Sequence, residues 1–295
     1  MKEKSWVCTL VTQLSLCIAV YVAFNKGGRP EKRALGISAG RGRPVDVYFA
    51  SVGGGFRPLE EQTLLLEQMV KVAKTYKVQF VINISELGEY DPLLKNASWH
   101  PELREIPWYT TVTSKASKGE GKNYFVDRIR MPYGQTLDII ALDTKLVQNP
   151  SSVPGKDQLQ WLMRTLNRSD VDWKLVVGFH QLFTYDYNMQ KIKEQETTSR
   201  LLLSTLLRYG VDAYMSSLIH ADHVQREATQ PTNIGPTDKG PYFISLNQNT
   251  VPIVETDNGF LLHSVTSLEM VTFFVTLTGE IENIVSFPQM GRAVM

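Results

Sequence analysis

Two histidines and an aspartate, His220, Asp222 and His223, lie close together in the segment DAYMSSLIHADHVQRE, residues 212–227. Imidazole nitrogens and carboxylate oxygens are common donors to zinc, iron and manganese. A short apolar run, Ala213 to Met215, precedes them and reads as a strand that ends in a histidine-bearing loop. Between strand and histidines, however, stand Ser216, Ser217, Leu218 and Ile219, two of them apolar where a metal centre would place donors. Other groups invite the same scrutiny. Glu86 and Glu89 could pair as acid and base, although a solvated loop is the plainer reading. Gly53, Gly54 and Gly55 follow an apolar run, where backbone N–H groups could cradle a phosphate with Lys115 as the cation. Cys8 and Cys17 are the only cysteines and both lie in the first apolar run, so the rest of the chain offers neither a disulfide nor a thiolate site.

The elements that must position these groups alternate between strand and helix. Apolar runs at 45–52, 78–84, 136–144, 173–180 and 211–217 predict strands. Helical spacing covers 59–76, 155–168 and 198–210, the last closed by Gly210. The segments 241–246, 259–268 and 270–287 predict further strands, with a hairpin at Gly279. This order predicts an α/β fold of two mixed sheets sandwiched between helices, with loops gathered at strand ends. Trp99, Trp108 and Trp161 are expected in core or groove packing. A net charge of +1 over 295 residues gives no reason to expect nucleic-acid binding.

Several segments, taken in order, carry a resemblance. LDT at 142–144, QLQWL at 158–162, LVVGFH at 175–180, YGVDAYMSS at 209–217 and the closing stretch from Gly259 to Glu280 resemble the metallophosphoesterases. Within them they resemble the purple acid phosphatases of the small tartrate-resistant kind. The resemblance implies a β-sandwich flanked by helices and two metal ions held by loops at strand ends, one ion supplying a hydroxide. Residue by residue, it also implies that the ligands are missing. The aspartate of the first motif falls on Gly53 or Gly54; the bridging aspartate falls near Glu86, with Tyr90 out of register for the metal-binding tyrosine. Ser114, Lys115 and Ala116 take the place of Asn-His-Asp, and Phe179 that of a histidine, with His180 one position late. In the last motif Leu218 stands for the first histidine and His220 retains the second. The expected reading is a pseudophosphatase without metal or other cofactor, whose altered face, including Phe179, Leu218 and Ile219, meets partner subunits. Two alternatives stay open. One is a weak phosphatase with a rearranged metal on Glu86, His180, His220, Asp222 and His223. The other is a phosphate or nucleotide sensor at Gly53 to Gly55.

The N-terminal segment adds a membrane. Residues 5–25 carry no charge and include Ser5, Trp6, Leu10, Leu14, Ile18, Val22 and Phe24, a length sufficient to cross a bilayer as a helix. No small-x-small site closes the run, so a retained anchor is expected over a cleaved signal. Lys26, Arg29, Lys32, Arg33, Arg41 and Arg43 follow it against one acid, Glu31, which keeps the C-terminal side on the cytosolic or matrix-like face. The expected organisation is an anchor at 1–25, a basic Gly/Pro/Arg linker at 26–44 and a metallophosphoesterase-like domain at 45–295. The partners would be the bilayer and other subunits of a membrane complex. The basic flank and cysteine-free domain favour the mitochondrial inner membrane over the secretory pathway. Carbonate extraction should therefore leave the protein in the membrane pellet with residues 5–25 attached; a mature N-terminus after Asn25 would overturn the anchor.

Overall fold

In a computed structural model, the structure describes residue 13 and residues 46–111, 123–186, 191–194, 197–217, 241–246 and 259–289. The chain divides into two units, Met1–Arg43 and Pro44–Met295, and the architecture below is that of the second. The predicted anchor, the linker, the 114–116 motif and the loop holding Leu218, Ile219, His220, Asp222 and His223 lie outside the described residues, Gln13 excepted. Among the described residues no helix is long and apolar enough to cross a membrane.

Thirteen strands build three sheets among the described residues. They are β1 (Val47–Gly53), β2 (Val81–Ile84), β3 (Trp108–Thr110), β4 (Phe125–Arg130), β5 (Thr136–Leu142), β6 (Trp173–Gly178), β7 (Phe183–Asp186), β8 (Lys191–Glu194), β9 (Ala213–Ser217), β10 (Pro241–Ser245), β11 (Gly259–Val265), β12 (Glu269–Thr276) and β13 (Ile281–Pro288). The first sheet runs β13-β12-β11-β1-β2-β3 and the second β10-β9-β6-β5-β4, while β7 and β8 form a separate hairpin. Both large sheets are mixed. β1, β2 and β3 are parallel, as are β5, β6 and β9, and antiparallel strands complete each sheet. Helices α1 (Leu59–Tyr76), α2 (Pro92–Ala97), α3 (Pro101–Arg104), α4 (Thr144–Gln148), α5 (Val153–Arg168) and α6 (Thr197–Arg208) connect them.

Period-two alternation explains the layers. Phe49, Ile82, Leu175 and Met215 point into the space between the two sheets, with Trp173 and Phe243 filling its centre. Their neighbours Ala50 and Val81 face the other way, onto Leu65, Leu66, Met69 and Val72 of α1. On the far side Ile140, Val176 and Tyr214 meet Leu162 of α5 and Leu202 and Leu206 of α6. Each sheet is thus buried on both faces, which is why its central strands read as continuous apolar runs.

Boundaries moved where local chemistry intervenes. β5 stops at Leu142 because Asp143 caps α4, its carboxylate accepting from Lys145 N–H at 3.1 Å. β6 stops at Gly178 rather than continuing through His180. A Cβ on Gly178 would meet Thr144 Cγ2 at 2.2 Å, and Tyr214 donates to the His180 carbonyl at 2.7 Å, drawing the chain off the sheet. The sequence reading misses β4, whose Asp127, Arg128 and Arg130 hide the strand pattern at an exposed sheet edge. Arg128 pairs there with buried Asp138 through two bonds, at 2.8 and 3.2 Å. Trp99 is a correction: it is 79% exposed, because the short α2 ends before it and turns it outward.

One buried polar chain crosses the first sheet. His263 Nε2 lies 2.8 Å from Ser51 Oγ and its Nδ1 2.8 Å from Thr272 Oγ1. The imidazole stacks on Phe49, ring centroids 4.3 Å apart. Burial draws its pKa down to about 3, so it is neutral in the folded protein. The unfolded chain takes up a proton below about 6.5. The contribution of His263 to stability is therefore complete above that pH and is lost as the pH falls from there toward about 3. Between pH 7.5 and 5.0 this residue should remove about 2 kcal/mol of stability. Urea unfolding of His263→Leu should show a lower midpoint at pH 7.5, from the unpaired Ser51 and Thr272 hydroxyls, and a smaller further drop at pH 5.0 than the unmodified chain shows.

Candidate functional site

The described residues singled out in the sequence follow the C-terminal ends of parallel strands, where α/β sheets place ligands. β2 packs against β9 across the core, bringing strands of the two sheets together.

At the end of β1, Gly54 N–H donates to the Ile84 carbonyl at 2.8 Å and Gly55 N–H to Asp91 Oδ2 at 2.9 Å. Gly55 has φ of +106°, a conformation glycine adopts without penalty. A Cβ on Gly54 would lie 2.1 Å from Asp91 Oδ2, 2.6 Å from Asn83 Oδ1 and 2.8 Å from Ser85 Cβ. The absent side chain is therefore a requirement of packing. A carboxylate does sit at this strand end, but it comes from Asp91, on the loop after β2. Asp91 is fully buried, and its second oxygen caps α2 by accepting from Leu93 N–H at 2.8 Å. Arg57 supplies positive charge. Burial draws its guanidinium below the ordinary value, while Asp91 and then Glu61 act in the opposite direction. Asn83 is fully buried beside them, and neither its amide oxygen nor its nitrogen has a partner among the described residues.

At the end of β2, Ser85 is closed by hydrogen bonds. Its N–H donates to Thr111 Oγ1 at 2.8 Å, its carbonyl accepts from the same hydroxyl at 2.7 Å, and its own Oγ accepts from Leu87 N–H at 3.0 Å. Glu86 and Glu89 are exposed, and Tyr90 is 73% exposed. In the second sheet, Phe179 and His180 are half-buried. His180 Nδ1 lies 2.7 Å from Thr144 Oγ1, which also accepts from His180 N–H at 3.0 Å. Phe179 meets the imidazole edge-on at 5.2 Å and accepts from Ser217 N–H through its carbonyl at 3.0 Å.

The described donor set does not fit a dinuclear metal centre. Gly53 and Gly54 offer no side chain, Asp91 is engaged by two N–H groups, Glu86 faces solvent and His180 is paired with Thr144. Among the described residues no group of three or more His, Cys, Asp or Glu side chains could hold a metal. The cradle expected of the glycines is altered as well, because the N–H groups of Gly54 and Gly55 already donate within the fold.

The segments that carry the sequence resemblance hold the fold together. Gln158 of QLQWL accepts from Asp143 N–H and donates to the Asp143 carbonyl, both at 2.9 Å, clamping α5 to the LDT segment. Trp161 packs against Tyr124, ring centroids 4.7 Å apart. Sequence reasoning missed Asp91, Thr111 and Thr144. Of these only Asp91 had a signal, an aspartate directly before the proline at a helix start.

No family model matches the sequence, and no curated protein sequence is similar to it. Among solved structures the chain is similar to GAP50, the anchor in the inner membrane complex of Plasmodium. The TM-score is 0.58 and the identity 17%, with 84% of this chain and 90% of that chain covered. It is also similar to a conserved predicted phosphoesterase from Streptococcus pneumoniae, at TM-score 0.37 and 9% identity, with 83% of this chain and 98% of that chain covered. A single mutant of Vps29 from Entamoeba histolytica gives TM-score 0.34 and 13% identity, with 82% of this chain and 99% of that chain covered. The likeness to GAP50 is one of fold. The two mixed sheets between helices are the arrangement that the sequence resemblance implies.

Gly54 and Asp91 should behave as a coupled pair. Gly54→Ala alone should cost about 1–3 kcal/mol through overpacking. Asp91→Ala alone should cost about 2–4 kcal/mol, through the lost cap and the lost negative charge opposite Arg57. The double variant, with the colliding oxygen gone, should cost clearly less than the sum. Additive losses in chemical unfolding would overturn the packing account.

Proposed function

We propose that this chain is a non-catalytic, membrane-anchored protein of the purple acid phosphatase type, serving as a structural or assembly subunit of a membrane complex. The observation that carries the reading is the closed end of β1: Gly54 packs against Asp91 Oδ2, Asn83 and Ser85 with no room for a side chain. A metal-binding aspartate cannot be restored at this position without displacing a buried carboxylate. The order of motifs from LDT to the closing hairpin supports the subtype. The uncharged run at 5–25 supports the anchor, and the proposed organisation remains anchor 1–25, linker 26–44 and domain 45–295. The fold shared with GAP50, the anchor in the inner membrane complex of Plasmodium, supports a structural role. A mitochondrial membrane rests on the basic flank and the cysteine-free domain.

The runner-up phosphatase would have to draw on Glu86, His180, His220, Asp222 and His223. Of these, Glu86 is exposed and His180 pairs with Thr144. Elemental analysis of the purified full chain decides between them. The expected result is no stoichiometric iron, zinc or manganese, and migration in mild detergent well above the mass of one chain. About two metals per chain, with phosphate-ester hydrolysis, would overturn the proposal.

A further inference from the structure

The rim formed by the loops after β1 and β2 displays Phe56, Leu59 and Tyr90, exposed at 70%, 75% and 73%. Hydrogen bonds tie together the segments that carry these residues. The bond from Gly55 N–H to Asp91 Oδ2, 2.9 Å, joins residues adjacent in sequence to Phe56 and to Tyr90. Gln62 Nε2 donates to the Pro92 carbonyl at 3.2 Å, holding the first turn of α1, which Leu59 opens, to the same segment. A single exposed apolar side chain is ordinary, but three on one braced rim, two of them aromatic, have the composition of an interface anchor.

Among the described residues of these segments, the exposed charge is mostly of one sign. Glu60, Glu86 and Glu89 are exposed and Glu61 is half-buried. Arg57 lies under electrostatic influence from Asp91 and Glu61 and has its Nη1 atom buried. Lys95 on α2 is an exposed cation of the same segment. An acidic border opposes an anionic bilayer surface. It also opposes a second copy of the same rim, because a two-fold contact would set glutamates against glutamates.

We propose that this rim docks a basic, amphipathic segment of a partner protein. Its apolar side chains would cover Phe56, Leu59 and Tyr90, and its lysines or arginines would meet Glu60, Glu86 and Glu89. The proposal rests on the assembly reading above and adds the place and chemistry of the contact. Charge complementarity of this kind sets partner choice and association rate, and it weakens with salt.

Photo-crosslinking in native membranes tests it, with p-benzoylphenylalanine placed at position 56 or 90 of the full chain. Both positions should yield adducts with one partner, and the crosslinked peptide should carry Lys or Arg interleaved with apolar residues. Recovery of that partner should fall at least tenfold for Phe56→Ser/Tyr90→Ser, and should fall also for Glu86→Gln/Glu89→Gln. All these residues are exposed, so an unchanged unfolding midpoint verifies that each variant folds. Adducts with lipid, with a second copy or with an acidic or neutral segment overturn the proposal, as does unchanged recovery in the variants. A chain that still migrates in a large complex but gives no adduct overturns this surface and leaves the assembly reading standing. A chain that migrates alone overturns both.

Discussion

A carboxylate with no exposure to solvent must be held by donors, and the rest of the site depends on how Asp91 meets that condition. Gly55 N–H and Leu93 N–H satisfy its two oxygens. Those bonds start α2, lock the loop after β1 to the loop after β2, and require that residue 54 have no Cβ. The same clamp leaves Phe56 and Tyr90 on the outer side of the two loops. Strand end, helix start and exposed rim thus follow from one buried charge and the two N–H groups that face it.

The second sheet closes its strand ends with neutral pairs. Thr144 meets both the backbone and the ring of His180, Tyr214 donates to the His180 carbonyl, and Gln158 makes two bonds to Asp143. Several carboxylates gathered without a cation would repel one another and lose hydration. Hydroxyls and amides paired one to one avoid that cost. The stability of the two sheets lies in three apolar layers between and outside them.

Much of the architecture was legible in the sequence. The eighteen residues of α1 have the bounds that the apolar spacing of Leu65, Met69 and Val72 implies. Central strands such as β5, β6 and β11 are apolar because helices or the opposite sheet cover both faces. Gly210 and Gly279 take positive φ where the periodicity breaks, as a helix end and a hairpin require. Strand ends were less legible. A strand stops when a side chain from elsewhere competes for its backbone or its space, as Thr144 and Tyr214 do at Gly178.

The sequence by itself determined the alternation of strands and helices, the two-sheet class and the lack of a side chain at residues 53 and 54, because periodicity and residue type are local properties. Only the tertiary structure decided why glycine stands at 54, since the oxygen that would collide with a Cβ belongs to a residue thirty-seven positions away. It also decided that His263 is a neutral core residue, that Trp99 faces solvent, and that Phe56, Leu59 and Tyr90 share a rim. The physical reason is common to all of these. Burial and proximity are set by distant segments packed in space, and no residue's own neighbours in the chain encode which remote atom will occupy the space beside it.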